Sequence, residues 1–234
     1  IALTCRPVDS DDENEPCHRL TKAKGDRKGT TLYGRSFSSS EGNTTVFRYY
    51  VDEGAGADGI SFFLLNASQV DTETFSTGAP GGSLGYSGNG ENSRGVPGGF
   101  LGIGFDEYGN FNNDDECHEG GGGVNAGVTI RGAGDRGPPN GNCDATDDNY
   151  PFLEHTDPSQ SIDDGWRRVR VTTDPTTGGS NEIGGRVEMS FDKGDTWETV
   201  VNNSYTEAEI DSEFPNRFYL GFFGSTGGST NVHA

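Results

Sequence analysis

Asp106, Tyr108 and Asn110 fall at alternate positions where an apolar run ends, and they are the residues of this 234-residue chain whose types and spacing best suit chemistry. On a straight strand the three would share one face with about 7 Å between neighbours, too spread out for one ion. A hard cation takes oxygens at roughly 2.3 to 2.6 Å. The three can therefore share Ca2+ only if the chain curls after Asp106, and Gly109 is the residue that permits the curl. The same Asp-Glu-Tyr-Gly-Asn also suits an ordinary hairpin turn, since Gly, Asn and Asp dominate turns whether or not they bind anything.

The element that must position these residues is residues 98–105. Phe100, Leu101, Ile103 and Phe105 make a run short enough for a buried strand, while Gly102 and Gly104 leave room for something packed closely on the backbone. Other strands are predicted at 18–21, 30–37, 44–51, 60–65, 84–86, 124–131, 166–172, 185–191, 196–201 and 217–223, with a turn at 22–29. Residues 206–212 suit one helical turn. Residues 1–16 form an acidic loop, and 112–150 is a Gly-, Asp- and Pro-rich insert whose length inside a compact domain marks it as functional. The whole chain reads as one all-β domain, a jelly-roll-like sandwich of two antiparallel sheets.

A formal charge of −20 repels phosphate backbones and anionic membranes, which excludes nucleic acid as a partner and favours a divalent cation. No stretch is long and apolar enough to span a membrane, so direct membrane insertion is not expected. Cys5, Cys17, Cys117 and Cys143 form no CxxC and lie in polar, Asp-rich loops. An even number so placed predicts two disulfides in an oxidising compartment. Of the three possible connectivities, neighbours in sequence give Cys5–Cys17 and Cys117–Cys143, the second stapling the long insert. With neither a signal peptide nor an initiator Met, the chain reads as a processed part of a larger exported protein.

Five segments taken in order, RLT (19–21), ADGISFFL (57–64), GGSLG (81–85), GIGFDEYGN (102–110) and LGFFGSTG (220–227), resemble the L-type lectins, the legume-lectin-like or concanavalin A-like family. Their wording is nearest to the bacterial versions embedded in surface adhesins. The resemblance implies a concanavalin A-like sandwich in which sugar sits in a shallow depression over Ca2+. Asp106 resembles the family's Ca2+-binding aspartate, and Tyr108 the aromatic that contributes a main-chain oxygen. Asn110 resembles the asparagine that ligates Ca2+ and donates its amide to sugar. Asp115 stands where a second aspartate is expected, with Asp114 as its rival. Asp58 resembles the aspartate that accepts from two sugar hydroxyls, and Gly82 the loop glycine whose N–H donates to one. The loop 225–229, with Ser225, Gly227 and Gly228, corresponds to the one that tunes monosaccharide choice. An ionised carboxylate does offer two acceptors to a fixed pair of hydroxyls. Tyr86, Phe111 and Tyr150 are candidates for the apolar platform under a pyranose.

One departure qualifies the resemblance, and the second, transition-metal site is not expected. Gly104 occupies the place of a glutamate that binds a transition metal in plant lectins, and His118 lies near the place of its histidine. The expected function is a calcium-dependent carbohydrate-binding module of an extracellular or cell-surface adhesin or filament, with a glycan as partner and no chemistry of its own. A structural or protein-binding role in a surface filament is the alternative. A glycoside hydrolase on the same fold would need two carboxyl groups about 5 to 9.5 Å apart facing one bond, and no such arrangement is legible.

Overall fold

The computed structural model describes residues 18–234 except 53, 90–93, 114–119, 122–124, 135–149, 164, 176–181 and 193, together with the backbone of 3, 4, 16 and 17. Two short strands, β1 (Leu3–Thr4) and β2 (Pro16–Cys17), pair with each other. The body consists of two antiparallel sheets. One contains β3 (Arg27–Leu32), β4 (Phe37–Ser38), β6 (Gly59–Asn66), β7 (Gly99–Asp106), β8 (Gly127–Arg131), β9 (Phe152–Thr156) and β13 (Arg217–Thr226). Its order is β3-β13-β6-β7-β8-β9, with β4 pairing on β13. The other contains β5 (Asn43–Asp52), β10 (Gly165–Asp174), β11 (Glu182–Ser190), β12 (Glu198–Thr206) and β14 (Val232–His233), in the order β12-β11-β10-β5-β14. One short helix, α1 (Glu207–Ile210), falls where a helical turn is expected. It is started by a reciprocal cap between Thr206 and Glu209.

Two apolar layers hold the molecule together. Between the sheets lie Phe62 and Leu64, Ile103 and Phe105, Val169 and Val171, and Val187 and Met189, all inward-facing. A second layer covers the outer face of the seven-stranded sheet, where Phe63, Leu65 and Phe223 meet Leu84, Tyr86, Val96, Phe111 and Tyr150. Burial on both faces explains why β6 reads as an unbroken apolar run and not as an alternation. The glycines of β7 also find their cause here. A methyl on Gly102 would lie 2.5 Å from the Tyr86 ring, and one on Gly104 2.3 Å from the Phe111 ring.

Several expectations need correction. Residues 18–21 are not a strand; Leu20 and Thr21 donate their N–H groups to the carbonyl of His233. The first long strand spans 27–32 rather than 30–37, because pairing with β13 outweighs the turn-like Lys/Gly composition. Gly29 is required there: a methyl would sit 2.1 Å from the carbonyl oxygen of Leu20. Residues 84–86 are not a strand but follow a 3-10 turn, Gly81–Ser83. β9 was not expected at all. Its sequence, FLEHT, is half-buried throughout and carries no alternation to read. Cys5, Cys117 and Cys143 lie outside the described residues, as does the side chain of Cys17, so the disulfide staple remains an expectation.

The close seat of Tyr86 makes a direct test. Gly102→Ala should lower stability to urea by about 1–3 kcal/mol through overpacking. Gly34→Ala, where nothing lies within 4 Å of the added methyl, should shift it by no more than about 0.5 kcal/mol.

Candidate functional site

The curl required after Asp106 is present, and the Asp106 side chain holds it. Its Oδ1 accepts from the N–H groups of Tyr108 (3.2 Å) and Gly109 (2.7 Å), and its Oδ2 from that of Phe111 (2.6 Å). Gly109, at φ 106°, turns the chain into a 3-10 turn, Asn110–Asn112. This throws Phe111 back onto Gly104 and leaves Tyr108 52% exposed. Asn110 sits at the start of the turn, where its Oδ1 accepts from Asn113 Nδ2 at 3.4 Å.

Asp58 is brought beside this loop by strand register. Gly59 lies directly opposite Asp106 across the β6–β7 pair. The Asp58 N–H donates to the carbonyl of Ser225, and the Asp58 carbonyl accepts from Glu107 N–H, both at 2.9 Å. The residue after Asp58 must be glycine: φ is 139° at Gly59, and a methyl would lie 2.2 Å from the Phe105 carbonyl oxygen. The Ala57–Asp58 peptide is cis. Asp58 itself is 5% exposed.

Two more loops close on the same point. A methyl on Gly82 would lie 2.2 Å from Asn110 Cβ, so the 81–83 turn rests on the asparagine. A methyl on Gly227 would lie 3.0 and 3.3 Å from the two carboxylate oxygens of Asp58. Ser225 joins these loops: it is fully buried, and its Oγ accepts from Gly81 N–H at 2.6 Å. Gly228 is exposed, with nothing within 4 Å of a methyl placed on it. Asp58, Gly82, Asn110, Ser225 and Gly227 therefore converge, with Gly228 at the rim. Asp114, Asp115 and His118 lie outside the described residues. The three candidate platform rings do not take that role, because Tyr86, Phe111 and Tyr150 are all sealed in the second apolar layer. The exposed ring at this corner is Tyr108.

The electrostatics suit a hard cation. Burial, opposed by the three N–H groups and reinforced by the charge of Asp58, pushes the Asp106 carboxyl up to about 7. A carboxylate has about four lone-pair sites, and the loop N–H groups take three of those on Asp106, which leaves Oδ2 one. With the Tyr108 carbonyl and the Asn110 carboxamide, the donors on the curl are all oxygen, the set that Ca2+ takes. The described residues contain no group of three His, Cys, Asp or Glu placed for a metal. The space beside Gly104 is filled by the Phe111 ring and Leu84.

Sequence reading missed two supports. Arg131 is fully buried at the end of β8; Nε donates to the Phe111 carbonyl (2.9 Å), and the terminal nitrogens to Tyr150 (2.8 Å) and Asn113 (3.1 Å). A charged residue closing the otherwise apolar β8 was the available signal. Glu107, turned to the other side of β7, bonds His233 Nε2 at 2.8 Å and Asn231 Nδ2 at 2.5 Å. The far end of the 225–231 loop is thereby tied to the strand that carries Asp106.

No family model matches the chain, and no curated protein does either. Solved structures do. A lectin from Bauhinia forficata in complex with GalNAc superposes with TM-score 0.57 at 17% identity, over 92% of this chain and 82% of that one. Lectin II from Ulex europaeus gives 0.55 at 17%, over 92% and 82%. The exoplasmic/lumenal domain of VIP36 in its Ca2+/Man3GlcNAc-bound form gives 0.54 at 14%, over 92% and 74%. The fold is that of the L-type lectins. Within this L-type lectin fold, the corner just described is built from the ends of β6, β7 and β13, where three loops of the seven-stranded sheet meet.

Arg131→Met keeps much of the side-chain volume but removes the buried donors to three carbonyls, each worth about 1–3 kcal/mol when left unmade. The expected result is a marked fall in denaturation midpoint, with faster hydrogen exchange at the N–H groups of Gly109 and Phe111. Unaltered exchange at those two amides would show that Arg131 does not hold the loop.

Proposed function

We propose that this domain is a calcium-dependent carbohydrate-binding module of an extracellular or cell-surface adhesin or filament, attaching its parent protein to glycans. The observation that carries the reading is the convergence of Asp58, Gly82, Gly227 and Asn110 on one corner, with the Asp106 curl directly beneath. Ca2+ would be held by Asp106, the Tyr108 carbonyl, Asn110 and Asp115, and it supplies a fixed positive charge that pins the Asn110 carboxamide. That leaves the amide NH2 to donate to sugar. Asp58 accepts from a pair of hydroxyls, Gly82 N–H donates to one, and Gly227 and Gly228 keep the approach open. Ser225 braces the 81 and 225 loops through its bond to Gly81.

Support comes from the fold neighbours as well, whose structures hold GalNAc or, with Ca2+, Man3GlcNAc. Among the described residues no helix is long and apolar enough to cross a membrane. The two disulfides, Cys5–Cys17 and Cys117–Cys143, belong to the same proposal of an exported domain.

A glycan array probed with calcium and again with EDTA tests the reading: binding should appear only with calcium. EDTA should also lower the melting temperature, since a ligand at a hundred times its Kd contributes about 2.7 kcal/mol to the native state. Asp58→Asn should reduce glycan binding at least tenfold, in keeping with the loss of more than about 1.4 kcal/mol from a charged hydrogen-bond acceptor, with the melting temperature in EDTA held or raised. An array blank under both conditions would favour a purely structural filament domain.

A further inference from the structure

Residues 224–230 read GSTGGST, the composition of a flexible linker. In the fold this stretch is fastened at several points. Thr226 Oγ donates to the Lys24 carbonyl at 2.7 Å and accepts from Arg27 N–H at 2.9 Å. The Gly227 carbonyl accepts from Asp26 N–H at 3.0 Å, and the Thr230 carbonyl from Ala55 N–H at 2.8 Å. These bonds tie the stretch to neighbouring loops, and a further set ties it to the residue beside Asp106.

That residue, Glu107, holds the 225–231 loop at both ends. Glu107 N–H donates to the Asp58 carbonyl and Asp58 N–H to the Ser225 carbonyl, both at 2.9 Å, which fixes the start. The Glu107 carboxylate takes Asn231 Nδ2 at 2.5 Å and His233 Nε2 at 2.8 Å, which fixes the end. Thr21 completes the cluster. Its Oγ accepts from His233 N–H at 3.0 Å and lies 2.7 Å from His233 Nδ1 and 3.1 Å from the Asn231 carbonyl. Thr21, Glu107, Asn231 and His233 are all buried. Hydroxyl, imidazole and carboxylate stand in series as in a nucleophilic triad, but a cluster closed to solvent meets no substrate and acts through what it holds.

We propose that Glu107, Asn231 and His233 are positioning residues for glycan choice: they set the separation between the Asp58 carboxylate and the rim at Gly227 and Gly228, and with it which monosaccharide the corner accepts. The inference rests on the glycan reading of that corner. Taking a carboxylate out of water is costly unless it is well hydrogen-bonded, and apolar packing of similar volume often serves stability as well. What the cluster adds is a single position for the loop. A methyl on Gly227 would lie 3.0 and 3.3 Å from the two Asp58 oxygens, and recognition sites tolerate displacements of only about 0.5 Å. A loop of linker composition that ordered itself only on contact with sugar would also subtract the cost of ordering from affinity.

Asn231→Ala removes the amide that ties the loop to Glu107 and leaves Asp58, Gly82, Asn110 and Gly227 in place. The test uses the full chain in calcium, with mannose, glucose, galactose, fucose and the N-acetyl hexosamines as probes. Hydrogen exchange over residues 226–231 should quicken at least tenfold. The ratio of affinities between the best and second-best sugars should change at least threefold, while the affinity for Ca2+ alone, measured by calorimetry, changes less than twofold. If Asn231→Ala does not fold, Thr21→Val, which removes one hydroxyl from the same cluster, decides by the same readouts. Unchanged sugar ratios overturn the proposal even where exchange quickens, since the cluster would then be a structural brace alone. A Ca2+ affinity that falls as far as the sugar affinity also overturns it, because the metal loop and not the rim would have moved. Wild-type protein that binds none of the sugars defeats the glycan reading and this proposal together, whereas wild-type binding with unaltered ratios in the variant defeats this proposal alone.

Discussion

The Asp106 carboxylate is the constraint on which the site depends. It ends β7 and takes three N–H groups from the five residues that follow. On the other side of the same loop Arg131 donates to the carbonyls of Phe111 and Asn113. Two buried side chains of opposite kind thus serve the loop, one taking the N–H groups of 108, 109 and 111 and one the carbonyls of 111 and 113. Fixing the loop in this way plants Phe111 on Gly104 and sets Asn110 under Gly82. Each of those glycines is needed because a side chain already occupies the place of its missing methyl.

Much of this was legible in the sequence, and the reasons differ from residue to residue. The glycines at 102 and 104 announced a close approach to β7 because few other causes put glycine inside an apolar run. The spacing of Asp106, Tyr108 and Asn110 demanded a curl at Gly109, and the glycine does sit there with positive φ. Asp58 and Gly227 could not be joined by spacing, being far apart in the chain; only the order of motifs shared with L-type lectins placed them together. The aromatic platform was misjudged. Tyr86, Phe111 and Tyr150 stand in loops, and nothing local tells that a second apolar layer will be laid over the outside of a sheet. β3 and β9 were misplaced or missed because their residues are strand-like only through their partners, the pairing with β13 in one case and with β8 in the other. Arg131 escaped notice because an arginine closing a strand usually reaches water.

Whether the corner could cut a glycan as well as hold one turns on the parity of β7. Adjacent residues of a strand point to opposite faces, so Asp106 and Glu107 cannot flank one bond. Glu107 is further occupied, both oxygens being held by Asn231 and His233 in a buried pocket. Asp106 has three of its lone pairs committed to the loop. Hydrolysis of a glycosidic bond beside Asp58 would need a second carboxyl group facing the same bond. Among the described residues the corner offers Asp58, the Asn110 carboxamide and backbone N–H groups, a set that can orient hydroxyls. The same strand alternation that builds the corner therefore keeps Asp106 and Glu107 from acting as a pair.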